Sequence, residues 1–76
     1  METQFIEAFR EAVEREGEIL LTDEFRKYDE WGSLAYLSVI AMLDENYGVI
    51  IELEDFRKQL TVGALMEEVF KRSGRK

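Results

Sequence analysis

The sequence predicts a small all-α bundle of three main helices and one short helix, with a long first loop. Three observations predict it. Apolar residues recur at three- and four-residue spacing in three separate segments, so each segment carries one buried stripe on an otherwise polar helix. Glycine or threonine stands at the ends of these segments, where helices start and stop. Only Val49–Leu53 has a strand-like composition, and no second run exists to pair with it.

The first helix is expected from Glu2 to about Glu16, with Phe5, Ile6, Phe9, Ala12 and Val13 facing inward and Gly17 closing it. Residues 17–32 show no sustained period, yet they include Ile19, Leu20, Leu21, Phe25, Tyr28 and Trp31, too much apolar mass for a solvated linker. A loop packed over the bundle is expected, with Trp31 as an anchor on the core. The second helix spans Ser33 to about Tyr47, its inward stripe read as Leu34, Leu37, Ile40, Ala41 and Leu43, with Gly48 as a left-handed cap.

An extended connector then buries Val49 and Ile51, and Glu54 to about Leu60 makes a short helical turn. Thr61 is the expected N-cap of the last helix, whose buried face is Val62, Leu65, Met66, Val69 and Phe70. Met42 and Met66 read as flexible core filler. Residues 1–72 are expected to form one domain. The basic carboxyl end, in KRSGRK, is read as a frayed tail at 73–76.

Composition narrows the function classes. A chain of 76 residues holds one small core, with little room for a catalytic cleft and its support. The absence of Cys and His removes disulfides, thiolate nucleophiles, Cys–His zinc sites and Ser-His-Asp arrangements. Hence no enzyme is expected, and any reactive group must be borrowed. A formal net charge of −7 disfavours nucleic acid and anionic membranes and favours a basic protein partner. The amino terminus is acidic and amphipathic where a signal peptide would be basic and then apolar, so a cytoplasmic monomer is expected. Asp44, Asn46, Gly48 and Asp55 share a calcium loop's residue types, but Val49 stands where that loop needs Gly.

Ser33 is the candidate site. At a helix amino terminus it is exposed, and the unpaired backbone N–H groups there favour an attached phosphodiester. Taken alone, it is also an ordinary N-cap. Around it stand Trp31-Gly32-Ser33-Leu34-Ala35, Tyr47-Gly48-Val49 with Ile51, the acidic pair Glu54-Asp55, and Leu60-Thr61-Val62. From about Phe25 to Val69 this pattern resembles the acyl and peptidyl carrier protein family, in which a Ser in an Asp-Ser-Leu motif at the start of the second helix receives phosphopantetheine from coenzyme A.

The resemblance implies an acyl-carrier-like bundle with the phosphopantetheine attached at Ser33, carrying an acyl or related group as a thioester. A borrowed thiol would supply the sulfur that this Cys-free chain lacks. The implied partners are a phosphopantetheinyl transferase and the acyl- or aminoacyl-loading ligases and synthases, with basic docking surfaces. Gly32, Leu34, Tyr36, Asp44, Glu45, Glu54 and Asp55 are the residues expected to meet them, the four acids acting as a patch that speeds association. Trp31 and Glu52 point to a specialised carrier. Ala35 and Ser38 stand where fatty-acid carriers often have acids on the exposed face of the second helix.

Gly32 stands where the family has Asp, an acid that the transferase normally recognises. It supports a second reading, a degenerate carrier fold that is unmodified and serves as a protein-interaction module. A third reading is an unrelated acidic adaptor in which Ser33 is only a cap; it is favoured if the loop and the last helix do not pack around the second helix.

Overall fold

A computed structural model describes residues 2–74. Four helices follow one another, α1 (Glu2–Val13), α2 (Ser33–Tyr47), α3 (Leu53–Arg57) and α4 (Val62–Ser73), with a single 3-10 turn at Phe25–Lys27 inside the first loop. No strand occurs among the described residues, and Val49–Glu52 is an extended connector as expected, with Val49 and Ile51 buried and Ile50 exposed. No described helix is long and apolar enough to cross a membrane.

The core is one contiguous cluster. Phe5, Phe9 and Val13 of α1 meet Val39 and Leu43 of α2, Phe56 of α3, and Val62, Leu65 and Val69 of α4, with Ile19 and Phe25 of the loop packed among them. No buried side-chain polar atom lacks a partner among the described residues. Met42 and Met66 lie in this cluster, in keeping with their reading as filler.

Several boundaries differ from expectation, each for a local reason. Helix α1 stops at Val13, before Gly17, because Glu14 adopts a left-handed conformation at φ 57°. Its N–H donates to the Glu11 carbonyl at 3.1 Å, and the Arg15 N–H donates to the Arg10 carbonyl at 3.1 Å. These bonds close the helix end that a glycine usually closes. Helix α3 starts one residue early, at Leu53, and ends at Arg57, so Leu60 lies outside it and is exposed. The basic end is less of a tail than its charge suggests. Lys71, Arg72 and Ser73 complete α4, Gly74 caps it at φ 79°, and residues 75 and 76 lie outside the described residues. Arg72 donates to Glu68 at 2.7 Å, to Asp55 at 3.0 Å and to the Ile50 carbonyl at 3.3 Å, tying α4 to α3 and the connector.

The buried face of α2 is also rotated from the predicted stripe. Ala35, Val39, Met42 and Leu43 point inward, whereas Leu34 and Leu37 are 80 % and 60 % exposed, and Ala41 is exposed. Helix α2 is apolar nearly all round, so spacing alone leaves the phase of its stripe undetermined. Ala35, expected on the exposed face, is therefore in the core.

The first loop is pinned at both ends of its course. Thr61 caps α4 as predicted, its Oγ1 accepting from the Ala64 N–H at 3.1 Å. The next two amides, of Val62 and Gly63, donate to Asp23 O at 3.0 Å and Leu21 O at 2.8 Å. Gly63 suits this close approach, since a Cβ would lie a tight 3.1 Å from the Leu21 carbonyl oxygen. On the other side, Arg15 pairs with Glu30 at 2.9 Å and lies over the Tyr28 ring, 4.0 Å from its centroid. The loop is thus fastened to the head of α4 and to the end of α1, and its Ile19 and Phe25 share one core cluster with residues of α2 and α4.

Candidate functional site

Ser33 is the first residue inside α2, and Gly32 is its N-cap: the Gly32 carbonyl accepts the first helical bond, from the Tyr36 N–H at 2.9 Å. This corrects the reading of Ser33 as a cap. Gly32 has no side chain to occupy the amides of the first turn, and no acid stands in that turn. The amino end of α2 therefore keeps its partial positive charge unneutralised beside an exposed hydroxyl.

The approach to Ser33 is set by aromatic packing. The Trp31 N–H donates to the Tyr28 carbonyl at 3.0 Å. Its ring stacks parallel to Phe56, 6.2 Å between centroids, and meets Phe25 edge-on at 5.0 Å. Tyr36, one helical turn beyond Gly32, presents its ring to the same Phe56 at 5.1 Å. Phe56 is thus the hub on which both neighbours of the serine rest, and Trp31 is the core-packed anchor the sequence suggests.

Beside Ser33 lies an open cavity of about 440 Å³. Trp31, Tyr36 and Phe56 line it together with Leu37 of α2 and Leu53 of α3, and its polar walls are Gly32, Ser33, Arg26 and Arg57. No acid lines it, although the chain carries 17 acids against 10 bases. Arg26 is committed to the fold, donating to the Phe56 carbonyl at 2.7 Å and the Gln59 carbonyl at 2.8 Å. Desolvation, and then the charge of Arg57, lower its affinity for its proton. Arg57, at the carboxyl end of α3, is exposed, and its guanidinium makes no hydrogen bond or ion pair with any described residue.

The predicted partner residues divide into two groups. Gly32 and Tyr36 line the cavity with Ser33, and Leu34 projects outward next to it. Asp44 and Glu45 are exposed on the last turns of α2, about 16 Å further along the helix axis at 1.5 Å per residue. Glu54 is exposed, but Asp55 is bound to Arg72 at 3.0 Å and lies 3.7 Å from Lys58, so its charge is partly spent inside the fold. Sequence reasoning did not single out Arg26, Leu53, Phe56 or Arg57, and it read Leu37 as a core residue, not as part of the site. Arg26 reaches α3 across 30 residues, a separation that no periodicity reports.

The residues present fit a phosphopantetheine arm: an exposed hydroxyl, an uncapped helix amino end and a mainly apolar cavity with no acid alongside. Among the described residues no group of three or more acids is placed to hold a metal ion. Comparison of the chain with protein-family models, with curated proteins and with solved structures finds no match.

Proposed function

We propose that the chain is an acyl-carrier-type protein that bears phosphopantetheine on Ser33 and presents an attached acyl or related group to partner biosynthetic enzymes. The observation that carries this reading is the position of Ser33, exposed at the first turn of a helix with no side-chain cap and bordering a mainly apolar cavity. When bound, the arm would supply a terminal thiol for thioester chemistry.

The chain's own part is positional. Trp31 and Tyr36, both resting on Phe56, hold the backbone on each side of Ser33. The α2 amides favour the phosphodiester that modification would leave on Oγ. In that modification Ser33 Oγ would displace adenosine bisphosphate from the coenzyme A pyrophosphate. A base on the transferase must take the hydroxyl proton, since the chain has no His and no acid lines the cavity. Leu34 beside the serine and Asp44 and Glu45 further along α2 are surfaces for the transferase and for basic loading enzymes. That role places the protein in the cytoplasm, where coenzyme A and such enzymes would meet it.

Gly32 favours a second reading, a carrier fold that goes unmodified and acts through protein contacts alone. Intact mass after incubation with coenzyme A, magnesium and a broad-specificity phosphopantetheinyl transferase separates the two, with Ser33→Ala as control. A gain of one phosphopantetheine on the wild type alone is expected. No gain on a folded wild type would make the interaction module the better reading.

A further inference from the structure

The cavity at Ser33 has a charge opposite to that of the protein around it. Two guanidinium groups line it, Arg26 and Arg57, in a chain of net charge −7, and no carboxylate answers them there. Burial first, and then the charge of Arg57, make Arg26 harder to keep protonated. Arg26 is held by two carbonyls and stacks over the Phe25 and Phe56 rings, 4.8 and 5.2 Å from their centroids, so it cannot swing away. Arg57 is exposed and uncommitted among the described residues. A lone cation at the end of a helix needs no ligand; two cations on one cavity without an acid gain from an anion between them. Apart from Gly32 and Ser33, the remaining walls are the aromatic and aliphatic side chains of Trp31, Tyr36, Leu37, Leu53 and Phe56, and about 440 Å³ lies within the range of small-ligand pockets.

We propose that this cavity binds a small acid with an apolar body, Arg57 pairing with its carboxylate and Trp31, Tyr36 and Leu37 covering the rest. The acid has two sources: a free carboxylic acid, or a carrier-borne acyl group that retains a second, free carboxylate. The second source rests on the proposed loading of Ser33; the first does not. A tethered carboxylate would be at high effective concentration, so the cavity would then select dicarboxylic over neutral cargo.

Trp31 is the only tryptophan of the chain and forms part of the wall, so its emission reports on occupancy. In the unmodified protein, hexanoate and benzoate are expected to change that emission saturably, and hexanamide and benzamide are not. Arg57→Gln, at an exposed position, should keep the circular dichroism of the wild type and weaken the acids about tenfold. In the second arm, holo protein carrying a glutaryl thioester is compared with one carrying valeryl; an Arg57-dependent emission shift with glutaryl alone is expected.

Saturation by the free acids alone assigns the site to a free ligand, and a response only to the tethered glutaryl group assigns it to cargo. Equal responses to acids and amides, or acid binding unaffected by Arg57→Gln, would overturn the proposal, as would silence in both arms. A wild-type chain that resists modification counts against the carrier reading but leaves the free-acid titration decisive for the cavity.

Discussion

Arg26 grips Phe56 by its backbone and its ring at once: the guanidinium donates to the Phe56 carbonyl at 2.7 Å and lies 5.2 Å from the centroid of that residue's side chain. Through this contact the loop that precedes Ser33 fixes the hub on which Trp31 and Tyr36 rest. Arg26→Ala removes two charge-assisted bonds to part-buried carbonyls and should lower the unfolding free energy by about 3 kcal/mol. Arg26→Lys restores the charge but not the fork and should recover less than half of it. Urea unfolding checks both, and equal stability of Arg26→Ala and wild type would show the contact to be incidental.

Gly32→Asp should be accepted without strain. The backbone there is extended, with φ 178°, and an added Cβ meets nothing within 4 Å. The carboxylate would cap free amides of α2, and the unfolded chain would lose glycine's freedom, for a gain of about 0.5–1 kcal/mol. Faster transfer of phosphopantetheine to Ser33 is expected as well. A gain in stability with an unchanged transfer rate would show that the enzyme does not need the acid.

Glu14 closes α1 in a conformation that costs an L-residue about 1–2 kcal/mol. Glu14→Gly should therefore raise the melting temperature by roughly 4–8 °C per kcal/mol recovered in a chain of this size. A fall instead would mean that the glutamate side chain contributes more than its backbone loses.

Asp23 makes stability depend on pH at both extremes. Its Oδ2 accepts from the Tyr28 hydroxyl at 2.6 Å and the Leu20 N–H at 3.0 Å, and these bonds lower its proton affinity in the folded state. The stability they confer is full above the ordinary carboxylate range, about pH 4, and is lost as pH falls through the depressed folded value. Tyr28 shows the opposite sign: burial, then the bond to Asp23, raise it well above 10. Its contribution holds below about pH 10 and is lost as pH rises through the raised value. The urea midpoint should fall toward both ends of the pH scale, and Asp23→Asn should flatten the acid limb. An unaltered acid limb in that variant would assign the loss to other carboxylates.

Where one helix face is charged and the other apolar, the sequence already shows how the helix sits. In α1 and α4 the residues read as buried are buried or half-buried, because charged neighbours leave one orientation. The same logic fails for α2, where Leu34, Leu37 and Ala41 compete with Ala35, Val39 and Met42 for the core. Burial went to the set that meets α1 and α4. Endings are legible where Gly48 and Thr61 carry a cap; they are missed at Gly74, whose basic neighbours suggest a tail, and at Glu14, whose left-handed backbone no residue preference announces. Ser33 stands out in the sequence because it is local to a helix start. The cavity beside it does not, since Arg26, Phe56 and Arg57 converge there only once the chain has folded back.

The two amides at the head of α4 that hold Asp23 and Leu21 join positions separated by about half of the chain. A ribosome making this protein must therefore finish α2 and α3 before the first loop can make these two bonds. Until then the segment leading to Ser33 lacks these two bonds. This fastening of the loop is thereby ordered after synthesis of the head of the last helix, a sequence of assembly written into the topology.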